Sequence, residues 1–432
     1  MPRYKKKKHN RILSAPKKRA KAPIKKRQID EDIVMTSSKS PKTKSNSKPE
    51  TKIKVIEGGK LERSRKFKVI VSAVAVIAVV LIIIEALMPA GLFQTVSNAV
   101  TTIGTGSYPI AVSGGETLSV VPISNYYYHL TDTHISAYSN GGKILFSEAH
   151  GYERAVLCAS KGRALIYNQG GKEFLIFNLK GEKYSLKTED EIICGDISDS
   201  GTFAVVTYSP SYASAVTVYN SRGKIVYEWY SAENTINSIA VSSSGKKIAI
   251  STYNSTSGVF NSKVHIIGFK SATPEYTKQI DGEIVYGLEC SNKSGFNIIK
   301  SNGIDTVKWS SFKENAYTDD YKISYFRDSG GTNVGVFTRD SDKTDNKIVI
   351  FSKNGKVKKI IRYKGIINDI EVRGSNAYCI NDTTVSVLDF DGNVKFTADY
   401  GFGGEGIAVS SANVVAVITD SEIKRIKLSE RN

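Results

Sequence analysis

A short hairpin recurs along this chain, and no other feature limits the fold as tightly. A strand runs into an Asn, Ser or Asp turn containing Gly, and a second strand follows. Phe174–Glu182 reads FLIFNLKGE, Val216–Lys224 VTVYNSRGK, Ile348–Lys356 IVIFSKNGK and Val385–Asn393 VSVLDFDGN. A second hairpin also repeats, because Ile193–Val206 (ICGDISDSGTFAVV) aligns with Ile236–Ile250 (INSIAVSSSGKKIAI). From Tyr108 onward the runs are short, alternate with period two and are rich in Val, Ile, Tyr and Phe, the composition of strands. Four such strands per unit of about 35–47 residues is the sequence form of a β-propeller blade.

Counting the first two strands of each unit gives eight, starting near Thr117, Ala155, Ile192, Ile236, Ile284, Ile323, Ile367 and Gly406. The last unit stops one strand short. An open blade leaves a long unpaired edge, so Tyr108–Val112 is expected to supply the missing strand and close the ring. The sequence therefore predicts an all-β, eight-bladed propeller over residues 108–430. Seven blades is the alternative, since Asp281–Asp320 is irregular and the first unit lacks a clear turn.

What precedes the repeats differs in chemistry. Val69–Met88 is an apolar run whose first sixteen residues carry no charge. As a helix its twenty residues rise about 30 Å, enough to cross a bilayer core. Lys60, Arg63, Arg65, Lys66 and Lys68 flank it upstream, whereas Pro89–Thr105 has no Lys or Arg. The positive-inside rule then places the N-terminus in the cytoplasm and the repeats outside, and the same five cations are candidate contacts to anionic lipid. More than sixty residues precede the apolar run, too many for a secretory leader, so the expectation is an uncleaved single-pass helix over 67–88 in a cytoplasmic membrane.

Residues 1–66 hold 23 Lys and Arg against 6 Asp and Glu, a net of +17 in a chain of +18, which leaves +1 for residues 67–432. This segment has too few apolar residues to order itself and is expected to be a disordered basic tail. Its composition permits nucleic acid binding, but neither stacking aromatics nor a recognition helix accompany the charge, so lipid headgroups are the preferred partner. In the 89–107 linker, Leu92, Phe93, Val96, Ala99, Val100 and Ile103 share one helical face opposite Gln94, Thr95, Ser97, Asn98 and Thr102. That periodicity predicts a short amphipathic helix resting on the headgroups or on the domain.

The Ser-Asp-Ser-Gly and Ser-Ser-Ser-Gly turns before Ala-Val-Val and Ile-Ala-Ile resemble the hairpins of WD-repeat-like and TolB-like propellers. The complete layout is similar to a family of single-pass, membrane-anchored, extracytoplasmic propeller proteins of Gram-positive bacteria. The resemblance covers roughly 108–430 and implies architecture. It departs from WD repeats in lacking their Gly-His and Trp-Asp dipeptides, and with Trp229 and Trp309 alone it lacks the tryptophan set of quinone-dependent propellers.

No residue pattern announces chemistry. Cys158, Cys194, Cys290 and Cys379 lie in apolar strands without metal-binding spacing; they read as buried free thiols, with a Cys158–Cys194 bridge as the minority reading. The five His are scattered, and the glycine-rich 401–406 precedes a strand, not a helix, so no metal, cofactor or catalytic residue is assigned. The 23 Tyr suit the half-wet outer faces of blades, with stacking on a glycan or protein as the sharper alternative. Candidate partner contacts sit where the repeat breaks down: Tyr208 and Tyr212, then Asn254, Phe260 and Asn261, then Arg339, Asp340 and Asp342. All are expected in irregular loops on one face, and loops carry specificity at little cost in stability. The preferred function is a non-catalytic protein-interaction platform outside the membrane, monomeric or weakly oligomeric. A glycan or small-ligand binder or sensor comes second, and an envelope hydrolase or lyase third.

Overall fold

The computed structural model describes residues 65–87, 92–256, 258–329 and 332–428, so the expectations for the basic tail lie outside the described residues. From Ile110 the chain builds eight four-stranded antiparallel sheets, an eight-bladed, all-β propeller. Seven of the sheets take their strands in sequence order. The eighth takes Gly404–Ser411, Val414–Thr419 and Glu422–Lys427 from the end of the propeller region and Ile110–Ala111 from its start. Ile110 lies opposite Ile423 and Ala111 opposite Glu422, and the Val112 N–H donates to the Ser421 carbonyl at 3.0 Å. The ring closes as the unpaired edge required.

The seven-blade alternative fails at Val285–Thr318, which holds a full fifth blade. Its first strand, Val285–Asn292, changes register after Val285 and again after Glu289, and those slips erase the two-residue period. The first blade hid its turn for another reason. Thr117–Ile123 and Tyr126–Thr131 are joined by Ser124 and Asn125 alone, with Ser124 at φ 53°, too tight for the Ser-x-Ser-Gly form.

Eight buried apolar clusters hold the ring, one between each pair of neighbouring blades. In the third blade Phe203 and Val205 face the second blade while Ala204 and Val206 face the fourth. Both faces are covered, so the second strands read as unbroken apolar runs, whereas outer strands such as Ile225–Ser231 alternate exposed and covered. Tyr126, Tyr127 and Tyr128 belong to this packing, and the last two are fully buried. The half-wet role expected of the tyrosines therefore does not hold for that triplet.

Two stretches expected to be irregular loops are strands that outgrow their blades. Lys247–Thr256 and Val259–Gly268 stay paired to the tip, Thr256 opposite Val259. In the sixth blade Thr332–Arg339 and Asp342–Ser352 continue to Arg339 opposite Asp342. Only Tyr208–Ala213 is a loop.

Helix α1 spans Arg65–Leu87 and α2 spans Leu92–Thr101. Side chains of α1 are described over 72–83, and over described residues no helix is long and apolar enough to cross a membrane. The amphipathic helix predicted in the linker is α2, and its polar edge rests on the propeller. The Thr102 hydroxyl accepts from Asn125 Nδ2 at 2.7 Å, and Lys143 Nζ donates to the Thr101 and Ile103 carbonyls at 3.1 and 3.3 Å. Lys143 thus satisfies carbonyls left open at the helix C-terminus and meets the negative end of its dipole. Asn98 lies so close to Gly162, at φ +80°, that a Cβ there would sit 2.0 Å from its Nδ2.

Candidate partner-binding face

Turns between first and second and between third and fourth strands lie on one face of the ring, the turn face. Second-to-third turns and the connections between blades lie on the other, the loop face. Among the described residues, the segments on the turn face contain eleven Lys or Arg and three Asp or Glu, a net of +8. Those on the loop face contain two Lys or Arg and thirteen Asp or Glu, a net of −11. The three carboxylates of the turn face are each paired: Asp199 with Lys161, Glu275 with Lys247 and Asp391 with Lys359. The ring is close to neutral as a whole and strongly polarised across its thickness.

The loop face carries aromatic side chains in water. Tyr208, Tyr212, Tyr230 and Phe260 are each roughly half exposed. Tyr212 packs on Tyr230 with ring centroids 5.0 Å apart, and from that pair an open groove of about 600 Å³ runs down the outer edge of the third blade past Tyr227 and Trp229 to Phe269 and Lys270 at the turn face. Asn254 and Asn261 face each other across the fourth-blade hairpin and line a separate pit of about 230 Å³ with Asn234, Thr252, Lys263, Gln279 and Asp281. Phe260 alternates to the other side of that hairpin. The sequence missed Leu118, Tyr286, Ile366 and Phe402, all exposed on the same face, the last by 76 %. Phe402 was signalled only by its position between two glycines.

The sixth-blade residues are occupied within the protein. Arg339 donates to Asp345 at 2.8 Å and to the Tyr321 hydroxyl at 2.5 Å, with its guanidinium 4.8 Å from the Tyr321 ring. Asp342 accepts from Thr344 at 2.7 Å and pairs with Lys364 at 3.1 Å, so hydrogen bonds from Thr344 and then Lys364 lower its pKa to about 2. Asp340 is exposed, and the fifth blade separates this rim from the aromatic groove. Of the lipid candidates, Lys60 and Arg63 lie outside the described residues, and Arg65, Lys66 and Lys68 fall in the first turns of α1.

Acids and bases do converge on the axis, where the first strands run, but nearly all are spent on holding blades together. A first strand has no strand on its inner side, so its amides need other partners. Asp196 accepts from the Val241 N–H at 2.6 Å, Asp369 from Ile407 N–H at 2.9 Å and Glu371 from Val409 N–H at 2.7 Å, each reaching the next blade. Arg327 pairs with Asp369 at 3.0 Å and donates to the Ile370 and Val120 carbonyls at 3.1 Å, tying the sixth blade to the seventh and, across the axis, to the first. Burial raises Asp196 and Glu371 to about 7. Glu289 is the exception: it has no hydrogen bond or ion pair among the described residues, and burial, then Asp328 and Asp196, raise it to about 8.

Cys158 and Cys194 are free thiols pushed up by burial, and Cys158 donates to the Gly195 carbonyl at 3.1 Å. Among the described residues no group of three or more His, Cys, Asp or Glu is placed to hold a metal ion.

Eight four-stranded blades closed by an N-terminal strand define the class: a single-ring β-propeller with an acidic, aromatic loop face. Residues 105–428 match the family of unknown function DUF5711, and the chain belongs to that family. Among solved structures, the C-terminal WD40 domain of Sif2 is similar at a TM-score of 0.52 and 10 % identity, covering 75 % of this chain and 100 % of that one. BamB from Moraxella catarrhalis follows at 0.44 and 13 %, with 74 % and 99 % covered. The propeller domain of Cps50 (Swd1) from Myceliophteria thermophila stands at 0.42 and 10 %, with 74 % and 100 % covered. Likeness at such identity bears on the fold alone, and no curated protein matches.

Proposed function

We propose that this protein is a non-catalytic interaction platform of a Gram-positive envelope, anchored by α1 in the cytoplasmic membrane with its propeller outside and its basic tail inside. The observation that carries the platform reading is the loop face. It combines a net charge of −11 among the described residues with half-exposed Tyr208, Tyr212, Tyr230 and Phe260. Exposed aromatics beside a groove are the usual anchors of protein recognition, and the acidic surround selects a partner bearing Lys and Arg. The engagement of the axial acids in inter-blade hydrogen bonds favours this over hydrolysis.

The test is photo-crosslinking in intact cells with Tyr212→Ala combined with Tyr230→Ala. Capture of the partner is expected to fall at least tenfold while the melting temperature stays within about two degrees, as surface changes usually allow. An unchanged partner set would sink the reading. Protease added to spheroplasts checks the topology: the propeller should be cut and the tail spared.

A second reading has its own observation. The pit between Asn254 and Asn261 is lined almost wholly by amide and charged groups and lies on the same face as the tyrosines, a combination that suits a glycan. Glycan-array binding abolished by Asn261→Ala would favour it.

A further inference from the structure

Helix α2 is seated the wrong way round for a helix packed on a protein. Its polar residue Asn98, which accepts from Gln94 within the helix, and Thr102 just beyond its end meet Gly162 and Asn125 on the turn face of the first two blades, where Lys143 donates to the last carbonyls of the helix. Its apolar side is left in water, with Val96 53 % exposed, Val100 62 % and, just beyond the helix, Ile103 70 %. A short helix with its apolar stripe outward needs another apolar phase to cover it.

Two further observations say which phase. The stripe lies on the face whose segments carry a net +8, with exposed Lys180, Lys224, Lys246 and Lys270 among them. And only four residues of sequence separate α2 from α1, whose described side chains over 72–83 are all exposed and mostly Val, Ile and Leu. We infer that the turn face of the propeller lies flat on an anionic bilayer surface, the α2 stripe sunk into the interface and the turn lysines over the headgroups. The inference rests on the reading of α1 as a membrane anchor. It adds an orientation: the acidic, aromatic face points away from the membrane. An interfacial helix sinks about 5–10 Å into the headgroup boundary, and basic side chains within a Debye length of it feel the anionic surface.

The test uses the full chain reconstituted in vesicles, with tryptophan introduced one position at a time as Ile77→Trp in α1 and Val100→Trp in α2, each read against the unmodified chain. Ile77→Trp should be quenched by lipid brominated deep in the acyl chain, and Val100→Trp by lipid brominated near the headgroup. Amine acetylation read by mass spectrometry should slow several-fold at Lys180, Lys224, Lys246 and Lys270 when phosphatidylglycerol replaces phosphatidylcholine, with Lys172 on the loop face and Lys343 at the tip of the sixth-blade hairpin unchanged.

Quenching of Ile77→Trp with Val100→Trp unquenched overturns the docked orientation and leaves the anchor standing. Loss of both sinks the anchor and the orientation with it. Blue-shifted Val100→Trp emission without bromine quenching means that a second copy covers the helix. Lysines shielded by added RNA but not by vesicles mean a nucleic acid face. Quenching of Val100→Trp without lysine protection means that the helix alone touches lipid. Each of these last three overturns the proposal.

Discussion

Glu289 is a buried carboxyl on the axis with no hydrogen bond or ion pair among the described residues, and pH acts on it directly. Its ordinary value is 4.5, and burial, helped by Asp328 and Asp196 and opposed by Arg327, raises it to about 8. Between those values the unfolded chain has lost the proton and the folded chain keeps it, so stability falls as pH rises through that window. Asp196, raised from 3.8 to about 7, and Glu371, raised from 4.5 to about 7, act with the same sign. The melting temperature should therefore decline from pH 5 to pH 8. Glu289→Gln should flatten that decline and melt above the parent at pH 8, and parallel curves for the two proteins would refute the assignment. None of this was legible in the sequence. Asp196 and Glu371 stand 93 residues before and 82 residues after Glu289, and only the closure of the ring brings their strands to one axis.

Blades are joined to one another less by backbone than by side chains reaching across. Asp369 shows the cost of losing such a reach, since it accepts from Ile407 N–H in the eighth blade and from the Tyr325 hydroxyl at 2.5 Å while pairing with buried Arg327. Asp369→Ala leaves a buried guanidinium without its counter-charge and an amide without an acceptor, a loss of about 3–5 kcal/mol. Chemical denaturation should read it as a lower midpoint with an unchanged slope, and a loss under about 1 kcal/mol would mean the pair is solvated. At this scale the sequence was a good guide wherever turn chemistry was explicit. The Gly201 and Gly245 hairpins, at φ +78° and +64°, announce themselves because only glycine sits there without strain. It misled where strands extend: at Asn254–Asn261 and Arg339–Asn346 the polar composition resembles a loop, yet hydrogen bonding continues to the hairpin tip. It was silent on the partnering of Arg339 and Asp342, because Tyr321 reaches the first from the connection between the fifth and sixth blades and Lys364 reaches the second from the outer strand.

On the scale of the molecule, eight blades and the closing strand were readable because an incomplete last unit demands a partner, whereas the charge separation between faces was not. It emerges only when turns are sorted by the side of the ring they occupy. Deleting Tyr108–Val112 should expose Glu422–Lys427 as a free edge and lower the melting temperature by several degrees or cause aggregation, while deleting residues 1–60 should leave the melt unchanged. Equal melts for both deletions would mean that the ring does not depend on that strand. The same closure governs timing. Ile110–Ala111 is the first part of the domain to be synthesised, and its partner Glu422–Lys427 is the last. The first strand must wait unpaired while every blade between them is made, and no intermediate length of chain can complete the eighth blade. A ribosome that stops short of residue 427 releases a ring with an open seam, so the join between the first and last strands tells a closed ring from an open one.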